Sequence, residues 1–274
     1  DDRGIAIPAD RAGEDMDKRA LLALGGGGVS ALVALSAFVG APGGLLLFYL
    51  SPLPLLMVGL ALGSRAVGLA LASGLVLVGL VGGLSACGLY ALMHALPSGL
   101  VTVRALMRRV GGANDDPEAW YPIGGILTSL TLLAMILVLA MALSLSGHAG
   151  IEAGVRGVLD QVLSVTAAGL GEEDRLRFAG ALTPYFLGAS AVAWLAMIVA
   201  NAILAQWLLA RRGWALRPTP RWSALVLPDW LTWPLVGAAA VALLASGDVS
   251  YLAHNLVVLF AAPYFFLGLA VIHQ

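Results

Sequence analysis

The chain consists mainly of long, nearly uninterrupted apolar stretches separated by short polar segments. Apolar residues are continuous within these stretches rather than alternating with polar ones, which favours helices over strands. A helix needs about 20 apolar residues to cross a hydrocarbon core of about 30 Å. Because only helices and closed barrels satisfy their backbone hydrogen bonds there, the pattern predicts an all-α, polytopic transmembrane helix bundle. About eight spans are predicted, near residues 20–40, 43–62, 66–83, 84–103, 122–146, 182–210, 229–246 and 250–273.

Two interruptions shape the predicted spans. The second span contains Ser51-Pro52-Leu53-Pro54, and because each proline removes a backbone donor, the helix is expected to break or kink there. Such a helix either crosses the membrane with a kink or is re-entrant. The stretch from Ala66 to Leu100 is longer than one ordinary span, and Gly82-Gly83 is the expected turn that divides it.

Composition excludes an ordinary soluble domain. Hydrophobic residues make up 60% of the chain and charged residues 11%, and the mean hydropathy is +0.92, whereas soluble domains are about half apolar and about a quarter charged. The net charge is −1, and the basic residues are scattered between apolar runs rather than gathered on one face. We therefore expect no nucleic-acid partner, because phosphate-binding surfaces need clustered basic residues.

The distribution of basic residues predicts that both chain ends lie in the cytoplasm, since basic loops stay on that side. All but three of the 15 basic residues then fall on the inner side. The three exceptions are Arg156, Arg175 and Arg177, which share one long external segment. A re-entrant second helix would invert every later loop, so the same bias favours a full crossing. The inner residues are Arg3, Arg11, Lys18, Arg19, Arg65, Arg104, Arg108, Arg109, Arg211, Arg212, Arg217 and Arg221.

Outside the spans, two segments have a distinct character. Residues 1–19 are predicted to be a polar, loosely ordered leader, and residues 20–274 a single transmembrane domain. The external segment 148–180 is predicted to contain an amphipathic helix. Its apolar face consists of Ile151, Val155, Val158, Leu159 and Val162, whereas Glu152, Arg156 and Asp160 are spaced for pairing four residues apart. This helix is either a tether between spans or a lid over a cavity.

Polar side chains and helix breaks at membrane depth are the candidate solute-binding positions, because both are costly in lipid unless they face protein, water or ligand. The solute-binding candidates are Ser51, Pro52, Pro54, Asn201, His254 and Asn255. The alternative for the proline segment is a structural kink, and for the amides it is hydrogen bonding between helices. His94 is expected to be an interfacial or carbonyl-bonded imidazole.

Small residues in the first span predict a surface on which another helix packs closely. Gly26, Ser30 and Ala34 follow one another at intervals of four, and we take them as helix-docking candidates. The partner helix belongs either to this chain or to another membrane protein.

Catalytic and metal-binding patterns are absent from the sequence. No hydrolase, zinc-protease or paired-aspartate motif appears, and no carboxylate occupies a clear mid-span position. The four histidines and the single cysteine lack metal-ligand spacing. The sequence therefore predicts neither an enzyme nor a metal or cofactor site.

Two apolar segments, residues 50–60 with Ser51-Pro52-Leu53-Pro54 and residues 263–273 beginning Pro263-Tyr264, resemble the YybS-like family of multi-pass bacterial membrane proteins. That family is in turn distantly similar to the substrate-binding subunits of energy-coupling-factor transporters. The resemblance implies a topology, and no binding residue can be transferred from it position by position.

Two functions are compatible with these patterns. The first is a multi-pass protein of the bacterial cytoplasmic (inner) membrane that binds or transports a small solute. The second is a non-catalytic scaffold or assembly subunit, whose first span or external helix binds another membrane protein. A solute-binding protein requires a polar cavity at the broken helix, whereas a scaffold packs its interior dry.

Overall fold

The computed structural model describes residues 9–37, 43–108, 120–147, 149–167, 169 and 171–272. This part of the chain is built of helices and turns, and it contains no strand beyond an isolated bridge between Arg108 and Trp120. The helices are α1 (Ala9–Leu35), α2 (Gly44–Leu50), α3 (Pro52–Leu62), α4 (Ser64–Tyr90), α5 (Leu96–Ala105), α6 (Ile123–Leu145), α7 (Ile151–Thr166), α8 (Glu172–Leu182), α9 (Phe186–Arg211), α10 (Thr232–Leu244) and α11 (Gly247–Ile272). The all-α fold class is confirmed.

Five helical segments of the described residues are long and apolar enough to cross a membrane. Two shorter apolar segments, Leu46–Leu62 and Asp229–Leu244, accompany them. At 1.5 Å per residue the latter extends about 24 Å, less than a typical hydrocarbon core. The five segments are Met16–Leu35, Ser64–Ala105, Ile123–Leu145, Glu172–Arg211 and Gly247–Val271. The count of eight crossings and the placement of both ends in the cytoplasm stay predictions.

The predicted division of the Ala66 to Leu100 stretch occurs at Gly83. Its φ of 77° and ψ of −177° lie outside the helical region, and glycine adopts this φ without the steric penalty of a Cβ. The Cys87 Sγ lies 3.5 Å from the Leu75 carbonyl oxygen, although a continuous helix would place these residues about 18 Å apart. Consequently α4 folds back on itself at Gly83.

Helix α1 begins earlier than the first predicted span. It is helical from Ala9, so much of the predicted leader continues the helix beyond the apolar residues. Alanine, arginine, methionine and lysine in this segment favour helix formation, which accounts for the extension. Residues 1–8 of the leader lie outside the described part of the chain.

The chain divides into two compact units, residues 1–122 with 197–220 and residues 123–196 with 221–274. In the first unit, small residues of α1 permit close helix packing. A Cβ at Gly26 would meet the Val58 side chain of α3, and a Cβ at Gly27 would meet the Ala70 carbonyl oxygen of α4. The core that surrounds these contacts comprises Ala23, Ala31, Ala34, Leu55, Val58, Ala70, Val78, Tyr90 and Ala95.

In the second unit, the segment predicted as one external amphipathic helix forms two helices, α7 and α8. Ile151, Val155 and Leu159 are buried on one face of α7 as predicted, but Val162 is exposed. Asp160 forms an ion pair with Arg175 of α8 at 3.0 Å. The carboxylate of Asp248, at the start of α11, accepts a hydrogen bond from the Ile151 backbone N–H at 2.9 Å, and an anion is favoured at such a helix N-terminus.

Candidate functional site

The predicted break at Ser51 separates α2 from α3, and side chains of the same unit satisfy its polar groups. Ser30 Oγ of α1 donates to the Ser51 carbonyl at 2.7 Å, and Ser51 Oγ donates to the Ser30 carbonyl at 3.1 Å. Tyr90 donates its hydroxyl to Ser30 Oγ at 2.8 Å. Ser30 and Ser51 are fully buried. Pro52 and Pro54 thus lie at the start of α3, beside hydroxyls that are bonded to one another. The backbone N–H that Pro52 lacks would have no partner within the helix at this first position.

Asn201 lies beside the same break. Its Nδ2 donates to the Tyr49 carbonyl of α2 at 2.7 Å and to the Met197 carbonyl of its own helix at 2.8 Å. The side chain is buried, and its Oδ1 has no hydrogen-bond partner in the part of the chain that the structure describes. The structure therefore brings Asn201 to the helix break, as the solute-binding hypothesis requires, and leaves one amide acceptor unused.

Three further buried polar side chains lie at intervals of four residues: His94, Ser98 and Thr102. Each is fully buried, and neither imidazole nitrogen, the Ser98 hydroxyl nor the Thr102 hydroxyl has a hydrogen-bond partner among the described residues. This spacing places residues on one helical face. Ser98 and Thr102 belong to α5, and His94 lies in the helical turn that precedes it. We call the three residues the polar stripe of α5.

The polar stripe packs along α2 and α3. The Phe48 ring lies edge-on to the His94 ring with centroids 4.5 Å apart, and the Tyr90 ring lies 5.6 Å from it. Near the other end, Gly59 leaves the space that the Thr102 side chain fills. Phe48 immediately precedes Tyr49, whose carbonyl binds Asn201. The stripe and Asn201 therefore both lie along the broken helix.

The carbonyl bond expected for His94 as one of two alternatives is not formed by the described residues. Residues Ala91–Ala95 form a π-helical turn, and this turn, followed by Pro97, places the imidazole inside the bundle. π-Helical turns within α-helices occur frequently at functional sites. Sequence reasoning missed the polar stripe, although its spacing of four residues in an otherwise apolar segment is visible in the sequence.

Chemically, the stripe and Asn201 offer hydroxyls, an imidazole and an amide oxygen, with no charged side chain among them. Among the described residues no group of three or more His, Cys, Asp or Glu side chains is placed to hold a metal ion. The arrangement is suited to hydrogen bonding with an uncharged polar molecule.

In the second unit, the neighbouring candidates His254 and Asn255 have different environments. Asn255 is fully buried; its Oδ1 accepts from the Gly188 backbone N–H at 2.8 Å, and its Nδ2 donates to the Pro184 and Tyr251 carbonyls at 2.9 Å each. His254 is exposed, and Nδ1 lies 2.8 Å from the Ser250 carbonyl. Asn255 therefore connects α11 to α9. This is the hydrogen bonding between helices that was the alternative to solute binding for this residue.

His254 also borders a cavity of about 340 Å³ within the second unit. Glu152, Tyr185 and Ser250 are among the other residues that line it. A polar cavity therefore lies beside His254 in the second unit. The other candidates, Ser51 and Asn201, belong to the first unit.

The helix-docking candidates of α1 face helices of the same chain. Gly26 faces α3, as described above, Ser30 bonds Ser51 and Tyr90, and Ala34 is buried in the core of the first unit. Gly25 and Gly28 have open space around their Cβ positions, so the remaining face of α1 presents no such close contact.

Comparison with known proteins agrees with a membrane protein. The model of the family described as "Predicted membrane protein (DUF2232)" matches residues 29–274. No curated protein and no solved structure gives a significant match. A match over nearly the whole chain, together with helices able to span a membrane, identifies a membrane protein, and the chain belongs to this predicted membrane protein family, DUF2232.

Proposed function

We propose that the chain is a solute-binding or transport protein of the bacterial inner membrane, and that it binds a small, uncharged polar solute between the polar stripe of α5 and Asn201. The observation that carries this proposal is a group of buried polar atoms, on the polar stripe and Asn201, that have no hydrogen-bond partner among the described residues. They are His94 Nδ1 and Nε2, Ser98 Oγ, Thr102 Oγ1 and Asn201 Oδ1.

Such atoms are rare in native proteins, and each raises the free energy of the folded state. Leaving one buried donor or acceptor unsatisfied costs about 1–3 kcal/mol, and native structures contain only a few per hundred residues. A solute that both donates and accepts hydrogen bonds would pair with neighbouring members of this group, such as the His94 imidazole and the Ser98 hydroxyl. A charged solute is disfavoured because no opposite charge is present in this group of side chains.

The broken helix supports the same location. Interrupted helices commonly form the binding sites of membrane transporters. Here Phe48 and Tyr49 precede the break and contact His94 and Asn201 respectively.

Two hydroxyl deletions test the proposal. Ser98→Ala and Thr102→Val should each raise the thermal midpoint of protein stripped of small molecules, because each removes an unsatisfied buried group without changing much volume. A gain of 1 kcal/mol corresponds to roughly 2–4 °C for a chain of this size. Differential scanning fluorimetry in detergent measures it. Thr131→Val is the matched control: Thr131 is equally buried but donates to the Leu127 carbonyl at 2.9 Å, so its loss should not stabilise.

The same variants report binding. Wild-type protein purified in mild detergent from its native membrane should release a small molecule on denaturation, detected by mass spectrometry, and both deletions should release less of it. Equal release from wild type and variants would contradict the proposed site. Co-purification of other membrane proteins without any small molecule would instead support the scaffold alternative.

A further inference from the structure

At one end of the first unit, the segment after α9 that carries the buried Arg217 bonds to α3, α5 and α9. The backbone N–H of Leu216 donates to the Leu60 carbonyl of α3 at 3.0 Å, and Nη1 of Arg217 donates to the Ala105 carbonyl at the end of α5 at 3.2 Å. Gln206 of α9 donates to the Arg217 carbonyl at 2.9 Å. Gly213, with a φ of 68°, allows the chain to turn after α9 and bring Arg217 to this position.

Arg217 is 7% exposed, and among the described residues no carboxylate lies within 4.0 Å of it. Burial lowers the pKa of its guanidinium below the usual value. A helix C-terminus carries only about half a negative charge, and the bond to Ala105 uses one of five N–H donors. The buried cation is therefore incompletely balanced by the protein groups described around it.

A second donor faces the same region. Tyr121 N–H donates to the Met107 carbonyl at 3.0 Å, and the bridge between Arg108 and Trp120 holds those residues side by side. The Arg108 guanidinium lies over the Trp120 ring, 4.9 Å from its centroid. The Trp120 indole N–H is buried and has no hydrogen-bond partner among the described residues.

These groups line one open cavity of about 570 Å³. Arg108, Trp120, Arg217 and Thr219 supply its polar groups, and Leu216 and Pro218 supply apolar surface. From this arrangement we propose that the cavity binds a phosphate-bearing anion, with the Arg217 guanidinium and the Trp120 indole N–H donating to its oxygens. Guanidinium groups bind phosphate oxygens through paired hydrogen bonds.

The anion is either the headgroup of an acidic phospholipid or a free phosphate compound. The residues near the cavity are of the kinds found at a membrane–water interface, where both anions occur. The arginines at the end of α9 lie over tryptophan rings: Arg211 is 4.0 Å from the Trp207 ring centroid, and Arg212 is 5.7 Å from that of Trp214. Tryptophan is enriched at membrane–water interfaces, where basic residues attract acidic lipids. This site is separate from the polar stripe and does not depend on the proposed solute.

Binding to purified full-length protein in a neutral detergent tests the proposal. Phosphatidylglycerol, phosphatidylcholine and inorganic phosphate are added separately, and binding is measured by native mass spectrometry and by the shift of the thermal midpoint. Wild type should bind phosphatidylglycerol or inorganic phosphate. Selective binding of phosphatidylglycerol assigns a lipid headgroup, whereas equal protection by inorganic phosphate assigns a free anion.

Arg217→Gln should weaken this binding roughly tenfold to a hundredfold, as expected for loss of a charged hydrogen-bonding partner. Trp120→Phe should weaken it about threefold to tenfold, because it removes a neutral donor and keeps an aromatic ring. Arg212→Gln is the matched control, since Arg212 is exposed at the same end and does not line the cavity. If Arg217→Gln does not fold, Arg217→Lys takes its place, because it keeps the positive charge. The compact ammonium should still bind the anion more weakly than the guanidinium does.

Absence of binding by wild type to all three probes would overturn the proposal. An equal loss in the Arg217→Gln and Arg212→Gln variants would also overturn it, because binding would then reflect the general positive charge of this end rather than the cavity.

Discussion

Replacing Gly27 with alanine is expected to destabilise the first unit severely, whereas the same replacement at the neighbouring Gly28 should leave it folded. A Cβ at Gly27 would collide with the Ala70 carbonyl oxygen and with Ser73 Oγ of α4, and a Cβ at Gly28 would meet no atom within 4 Å. Because the carbonyl oxygen belongs to the backbone, α1 and α4 would have to separate. Overpacking of this kind costs about 1–3 kcal/mol and occasionally more, and we expect the upper part of that range.

Thermal unfolding of the detergent-purified variants, with the fraction of monodisperse protein on size exclusion, measures the effect. Gly28→Ala should be neutral or slightly stabilising, since alanine favours the helix by about 0.5–1 kcal/mol relative to glycine. Gly26→Ala should fall between them, because its Cβ would meet mainly the Val58 side chain. Equal midpoints for the Gly27 and Gly28 variants would show that α1 and α4 do not pack at this distance.

This contrast shows how far the sequence predicts helix packing. Spacing of small residues by four identifies the faces of α1 on which helices approach, including that of Gly26 and Ser30. The spacing does not identify the helix that packs there, since a helix of another protein would require the same small residues. Only the folded chain shows that α3 and α4 occupy these faces.

Helix breaks were predictable because proline and glycine act locally. Pro52 and Pro54 end α2, and Gly83 reverses α4, each for a reason contained in the residue itself. The pairing of Asp160 was not predictable in the same way. Its partner Arg175 lies on the next helix, and a spacing rule within one helix cannot anticipate it.

The candidate site was predictable only in part, for a related reason. Sequence shows that a residue such as Asn201 is polar and lies in an apolar span, but whether its atoms find partners depends on other helices. Ser51 was singled out correctly as part of a break, yet its hydroxyl is bonded within the bundle. Thr102 was not singled out, yet its hydroxyl is buried without a partner.

Asn255→Leu is expected to destabilise the second unit by about 2–4 kcal/mol, because it removes three hydrogen bonds and leaves buried groups unpaired. The Gly188 N–H lies in the first turn of α9, where backbone donors have no partner within the helix, and Asn255 supplies the acceptor at 2.8 Å. The Pro184 carbonyl would lose its donor as well. Leucine has a similar volume, so the loss would be mainly one of hydrogen bonding. Thermal unfolding in detergent measures it.

His254→Ala, one residue away, is the matched control and should change stability by less than about 0.5 kcal/mol, since the imidazole is exposed and its backbone contact is within its own helix. If the two variants unfold at the same temperature, Asn255 does not join α11 to α9 as described. The two variants also distinguish a role in stability from a role in solute binding at His254 and Asn255. Loss of a co-purifying solute in His254→Ala, with stability unchanged, would place a binding site at the His254 cavity, because only a contact with the solute would then distinguish the variant from wild type.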